Sequence, residues 1–174
     1  MNLHYLEVMG REKKKYYSDI KDSMYSWFIR DENFYIWEYQ KLLRLEEFCL
    51  SNCARFSATI LRRKRNMVGI KLGISISPFS VDEGLRIWHS AGIVINPRSK
   101  IGKNLTLHGA NCIGNSGDNN SLAPTLGSNI DVGFGAVVIG EISLADDIRI
   151  GAGAVVVKDL TVAGTVVGCP AVYI

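Results

Sequence analysis

A histidine sits beside a tryptophan in "GLRIWHSAG", residues 84–92, a stretch otherwise made mainly of small and aliphatic residues. Imidazole titrates near neutral pH, so His89 could take a proton from a substrate and give it back. It could also be a ring packed in a hydrophobic wall or an idle surface ring, and the choice depends on where position 89 points. His108 in "LTLHGAN" is a second candidate, whereas His4 stands in no comparable context. Cys49, Cys53, Cys112 and Cys169 have no metal-site spacing, and neither Cys112 nor Cys169 has an evident base beside it, so no metal is expected. With no export signal, free thiols are the default. No phosphate-loop or dinucleotide fingerprint is present.

The elements that must position these residues divide in two. Residues 1–66 carry 13 Lys/Arg against 9 Asp/Glu, and residues 67–174 carry 7 against 8. One of the 17 glycines lies before residue 67, and 12 of the 16 aromatics do. We therefore read a helical N-terminal segment, 1–66, and a second domain, 67–174. At 174 residues, 47% hydrophobic and 21% charged, the chain is long enough for a globular domain with a core. No apolar run reaches the roughly 18 residues that span a bilayer, and "MNLHYLEVMGREKKKYY" does not resemble a signal peptide. A cytoplasmic location is expected.

In the first segment Leu42, Leu45, Cys49, Cys53, Phe56 and Ile60 recur every three or four residues, the mark of an amphipathic helix. An earlier helix is expected over about 11–29, with "RDEN" as the break. "RRKR" at 62–65 reads as a solvated helix end, although it could meet an anionic membrane surface. No groove-reading motif accompanies the charge, so nucleic acid is not an expected partner.

The second part repeats in sixes. Leu126, Val132, Val138, Leu144, Ile150, Val156 and Val162 are all aliphatic, and Ile130, Ala136, Ile142, Ile148, Ala154, Leu160 and Val166 follow each by four. Ile95, Ile101, Leu107 and Ile113 do the same upstream, and Val81, Ile87 and Ile93 hold the spacing in another phase. Helices do not repeat in sixes, and alternating strands repeat in twos. Period six fits short strands joined by tight corners, one aliphatic side chain per side entering a narrow core; three sides make a coil of about eighteen residues. In the local phase Leu85, Ile87, Ala91 and Ile93 face inward, so His89 falls at or near a corner and points outward.

This pattern is the hexapeptide repeat, and the chain resembles the hexapeptide acyltransferases. The resemblance implies a left-handed parallel β-helix and homotrimers or dimers of trimers, with active sites between subunits. "GLRIWHSAGIVINPRSKIGKNLTL" is similar to the active-site stretch of serine acetyltransferases. "PTLGSNIDVGFGAVVIGEISLADDIRIGAGAVVVKDL" and "GTVVGCPA" follow that family's order, over roughly residues 69–171. Carried over, His89 matches the catalytic base, and acetyl-CoA is the implied cosubstrate. Gly114, Phe134, Ala152 and Lys158 match positions along the pantetheine arm, with Gly168 and Pro170 near the adenine; Phe134 replaces a small residue. His108 should lie near His89 one coil on, where with Asn111 and Asn115 it would face the acceptor.

Several departures bear on the substrate. Ser75 in "SISP" stands where that family has the aspartate that orients the histidine, leaving Asp82 and Glu83 as weak substitutes. Leu122 and Ala123 replace an Arg-His pair that contacts the amino-acid substrate. A charge-assisted contact of that kind contributes about 1.5–3 kcal/mol. The polar "GNSGDNNS" loop at 114–121 breaks the six-residue register, and the helical segment is smaller than that family's. The expectation is an acetyl-CoA-dependent O-acetyltransferase acting on a sugar of a surface polysaccharide or its precursor, as in the serine-acetyltransferase-like enzymes of polysaccharide clusters. The rivals are serine O-acetylation for cysteine synthesis and a non-catalytic scaffold solenoid.

Overall fold

A computed structural model describes residues 3–16, 28, 31–117 and 122–174. Among the described residues, the helices α1 (His4–Tyr16), α2 (Glu32–Ser51) and α3 (Arg55–Leu72) precede a series of short strands. The first helix begins at His4, earlier than the 11–29 expected; residues 17–27 and 29–30 of that span lie outside the described residues, and Phe28 between them is helical. Within "RDEN", expected as the break, Asp31 caps α2, its Oδ1 accepting the Phe34 N–H at 2.9 Å.

The single amphipathic helix expected through residue 60 is two helices. Asn52 ends α2, its N–H and Nδ2 both donating to the Phe48 carbonyl, and Cys53 turns left-handed at φ 58°. Apolar spacing continues across that turn, so periodicity alone does not reveal it. Beyond it Phe56 and Ile60 are exposed, not buried. "RRKR" is not a helix end either. It sits inside α3, where Arg62 and the buried Arg65 both donate to the buried Glu46, at 2.8 and 2.9 Å.

After Gly73 caps α3 (φ 66°), the strands are β1 (Ile74–Ser75), β2 (Arg86–Ile87), β3 (Ile93–Ile95), β4 (Lys100–Ile101), β5 (Thr106–Leu107), β6 (Cys112–Gly114) and β7 (Thr125–Leu126). They continue as β8 (Asp131–Val132), β9 (Val137–Ile139), β10 (Ser143–Leu144), β11 (Ile148–Ile150), β12 (Val155–Val156), β13 (Gly164–Val167) and β14 (Val172–Tyr173). They form three sheets, ordered β1-β3-β6-β9-β12, β4-β7-β10 and β2-β5-β8-β11-β13-β14. Every pairing is parallel except β13 with β14.

The register shows what the six-residue period does. Ile87, Leu107, Val132, Ile150 and Val166 are partnered in one column, Ile95, Ile113, Val138 and Val156 in a second, and Ile101, Leu126, Leu144 and Leu160 in a third. All are buried. Burying such a side chain contributes about 1.5–3 kcal/mol, so the stacked columns are the main source of cohesion. Two members of the pattern depart from it: Val162 is 63% exposed, and Ala91 is an exposed corner residue at φ 75°. At another corner the left-handed residues Asn104, Asn129 and Asp147 stack, with Asn104 donating to Asn129 and Asn129 to Asp147, both at 2.9 Å. Asn and Asp tolerate that conformation better than most residues.

Buried ion pairs dock the helices on the first strands. All five Arg44 donors are used. Nε and Nη2 donate to Glu12 (3.2 and 2.8 Å), Nη1 to Glu47 (2.9 Å), and the two Nη groups to the carbonyls of Val81 and Asp82 (3.0 and 2.7 Å). Glu12 also accepts the Gly84 and Leu85 N–H groups, and Gln40 donates to the Leu85 carbonyl at 2.7 Å. These contacts fix α1 and α2 against residues 81–85, just upstream of position 89. No helix among the described residues is long and apolar enough to cross a membrane.

Candidate functional site

Strand β2 ends at Ile87, but the ladder continues one step: the Trp88 N–H donates to the Leu107 carbonyl at 2.9 Å. His89 is then the last residue before the corner, and its side chain is 63% exposed. The register expectation holds because Ile87 and Ile93 are both buried, leaving the residue between Trp88 and Ser90 outside the core.

His89 Nδ1 lies 3.2 Å from Glu32 Oε2. The other oxygen, Oε1, accepts both the Ser90 N–H (2.7 Å) and the Ser90 hydroxyl (2.8 Å). The two Ser90 bonds chiefly, with a smaller contribution from His89, hold the Glu32 carboxyl below the ordinary carboxylate range against the opposing effect of burial. Glu32 is the first residue of α2, where the positive end of the helix dipole also favours an anion.

The expected substitutes for the missing aspartate are engaged elsewhere. Asp82 Oδ1 accepts the Glu83 N–H at 2.7 Å. Glu83 pairs with Lys103 at 2.8 Å and with Arg11, and these two cations bring its carboxyl down to about 2. Ser75 lies on β1 opposite Val94. The carboxylate on His89 is therefore one that the sequence reading missed. Residues 32 and 89 are 57 apart, and only the docking of α2 joins them.

His108 follows β5, the strand that pairs with β2. Its ring stacks on Trp88 at 6.1 Å between centroids and 27° between planes, and Arg86 lies 3.6 Å from the Trp88 ring centroid. His108 Nε2 is 2.8 Å from Asp131 Oδ1, and Arg149 is 3.6 Å from the same carboxylate. Asn111, expected at the acceptor, is instead a buried corner residue: Oδ1 accepts the Gly109 N–H (3.0 Å), and Nδ2 donates to the carbonyls of Gly133 (2.8 Å) and Ala136 (3.3 Å). Its side chain satisfies backbone groups that would otherwise be buried without partners. Asn115 is half-buried just beyond β6, and residues 118–121 of its loop lie outside the described residues.

The six residues matched to coenzyme A fall into separate groups. Phe134 and Ala152 share the corner that starts beside His89, where the Ala110 N–H donates to Ala91, Gly135 to Gly109 and Gly153 to Phe134, at 2.7, 2.9 and 2.9 Å. The half-exposed Phe134 ring lies over Gly109, where an added Cβ would come within 3.0 Å of it. Gly114 is buried at the far end of β6, and its carbonyl accepts the Gly140 N–H; Lys158 is exposed two residues beyond β12. Gly168 and Pro170 are exposed before β14, with the Gly168 carbonyl accepting the Val155 N–H at 2.9 Å.

No family model matches the chain. It is 42% identical over 101 residues to a serine acetyltransferase of Helicobacter pylori strain J99, covering 57% of this chain and 59% of that protein. It is 34% identical over 119 residues to a serine acetyltransferase of Mycobacterium tuberculosis, covering 67% of this chain and 52% of the relative. The chain thus spans between half and three-fifths of the curated relatives it matches. A crystal structure of serine acetyltransferase from Brucella abortus superposes with a TM-score of 0.70 at 24% identity, over 98% of this chain and 67% of that one. In sequence over the matched stretch, and in fold over nearly the whole of this chain, the protein is similar to serine acetyltransferases.

Proposed function

We propose that the protein is an acetyl-CoA-dependent O-acetyltransferase with His89 as general base. The observation that carries the reading is an outward-facing imidazole whose Nδ1 is held by a carboxylate, in a chain similar to serine acetyltransferases. An unaided alcohol is too weak an acid to attack a thioester. His89 Nε2 takes the hydroxyl proton as the oxygen bonds to the acetyl carbonyl carbon. The tetrahedral oxyanion collapses, the C–S bond breaks, and the imidazolium returns its proton to the departing thiolate. The products are an acetyl ester and CoA, with no acyl-enzyme.

The acceptor best supported is L-serine, on the names of the relatives and on solved neighbours of this fold that are complexed with serine and with CoA. The sugar acceptor expected from the sequence is a second reading. What favours it is the exposed Leu122 and buried Ala123 where a cationic pair would receive a carboxylate. Acetyl-CoA would run past Phe134, Ala152, Gly114 and Lys158, with Gly168 and Pro170 towards the adenine. His108 and Asn115 are then candidates to face the acceptor. A left-handed coil, homotrimers with sites between subunits and a cytoplasmic location belong to the same reading.

The test is the initial rate of CoA release from acetyl-CoA with L-serine, in wild type and His89→Ala. The expected result is a saturable rate that drops by about 10²- to 10⁴-fold in the variant. A serine-independent rate shifts the acceptor to sugars, and failure to bind acetyl-CoA at all overturns the enzymatic reading.

A further inference from the structure

The group on His89 comes from outside the coil. Glu32 opens α2, and its carboxylate is divided between two neighbours: Oε1 is taken by the Ser90 N–H and hydroxyl, leaving Oε2 for His89 Nδ1 at 3.2 Å. We infer that Glu32 is the positioning residue of His89, in place of the aspartate that Ser75 does not supply; this rests on His89 being the base.

The reasoning is one of proton inventory. An ionised carboxylate only accepts, so the ring nitrogen facing it carries the hydrogen. Neutral His89 is therefore the Nδ1–H tautomer, with the Nε2 lone pair free for the acceptor hydroxyl. When the ring takes a proton, the same carboxylate faces the new positive charge. The anion has its own support: the Ser90 bonds, the N-terminus of α2 and the Asp31 cap that orders that first turn. Farther along α2, Gln40 and Arg44 anchor the helix to residues 81–85, which fixes the approach of Glu32. The other charged groups nearby have their own partners. Arg86 lies on the Trp88 ring, and His108 meets Asp131.

The experiment uses the full chain as wild type, Glu32→Ala and Glu32→Asp, with two readouts. In steady-state assays Glu32→Ala should lower kcat by roughly 10- to 100-fold with KM for acetyl-CoA within about twofold, and Glu32→Asp should recover part of the loss. Long-range ¹H–¹⁵N spectra of the imidazole should show neutral His89 as Nδ1–H in wild type and shifted towards Nε2–H in Glu32→Ala. A wild-type ring already in the Nε2–H form overturns the assignment, as does a kcat loss with no change of tautomer. If no acceptor turns over in wild type, the base reading fails on its own, and the spectra still decide whether Glu32 holds the ring.

Discussion

Arg44 and Glu12 form a buried ion pair, Nη2 to Oε1 at 2.8 Å with side chains 2% and 1% exposed, that joins α1 to α2 where both dock on residues 81–85. Glu47 and two backbone carbonyls complete the guanidinium's partners. Removing one member of such a cluster leaves charge buried without a partner, which costs about 3–5 kcal/mol. Arg44→Ala is therefore expected to lower unfolding stability by that amount in urea titration. A loss below about 1 kcal/mol would show that water reaches Glu12 and Glu47.

Glu83 links stability to pH. Lys103 and Arg11 lower its carboxyl from 4.5 to about 2 in the folded protein. The unfolded chain takes up this proton at higher pH than the folded one, so the contribution is complete above about pH 4.5 and is lost as pH falls towards about 2. Glu83→Gln should flatten that part of the stability–pH curve. Because the pair is at the surface, the effect at neutral pH should stay within about 1 kcal/mol and shrink in salt.

Leu122 tests the acceptor. It is 56% exposed, and the resemblance to serine acetyltransferases matches it to a carboxylate-binding cation, so an arginine can be placed there without disturbing the core. If serine is the acceptor, Leu122→Arg should lower its KM by about tenfold, the lower end of a charge-assisted contact. An unchanged or higher KM for serine, with any sugar activity retained, favours the neutral acceptor.

Two members of the repeat should separate cleanly. Ile150 is buried in a register column and Val162 is 63% exposed, although both keep the six-residue spacing. Ile150→Ala should cost about 2–5 kcal/mol, and Val162→Ala no more than about 0.5 kcal/mol. Thermal melts of the two variants suffice to compare them.

The six-residue register was legible because its physics is local. Each short strand must put one aliphatic side chain into a narrow interior, so Leu107, Val132 and Ile150 had to recur, and the same spacing turned His89 outward. His108 was expected near His89, and the contact seen is with the neighbouring Trp88 ring. Asn111 was misplaced because residue type does not distinguish an amide that faces a ligand from one that satisfies a corner's own backbone. The break at Cys53 was hidden because one left-handed residue leaves apolar spacing intact while reversing the chain.

By itself, then, the sequence determined the repeat, the three aliphatic columns and the outward histidine, all set by neighbours a few residues apart. Tertiary structure decided which carboxylate meets that histidine. Glu32 and His89 are joined across 57 residues by how α2 docks, and that docking depends on the buried Arg44, Glu12 and Glu47 cluster, which no local spacing encodes.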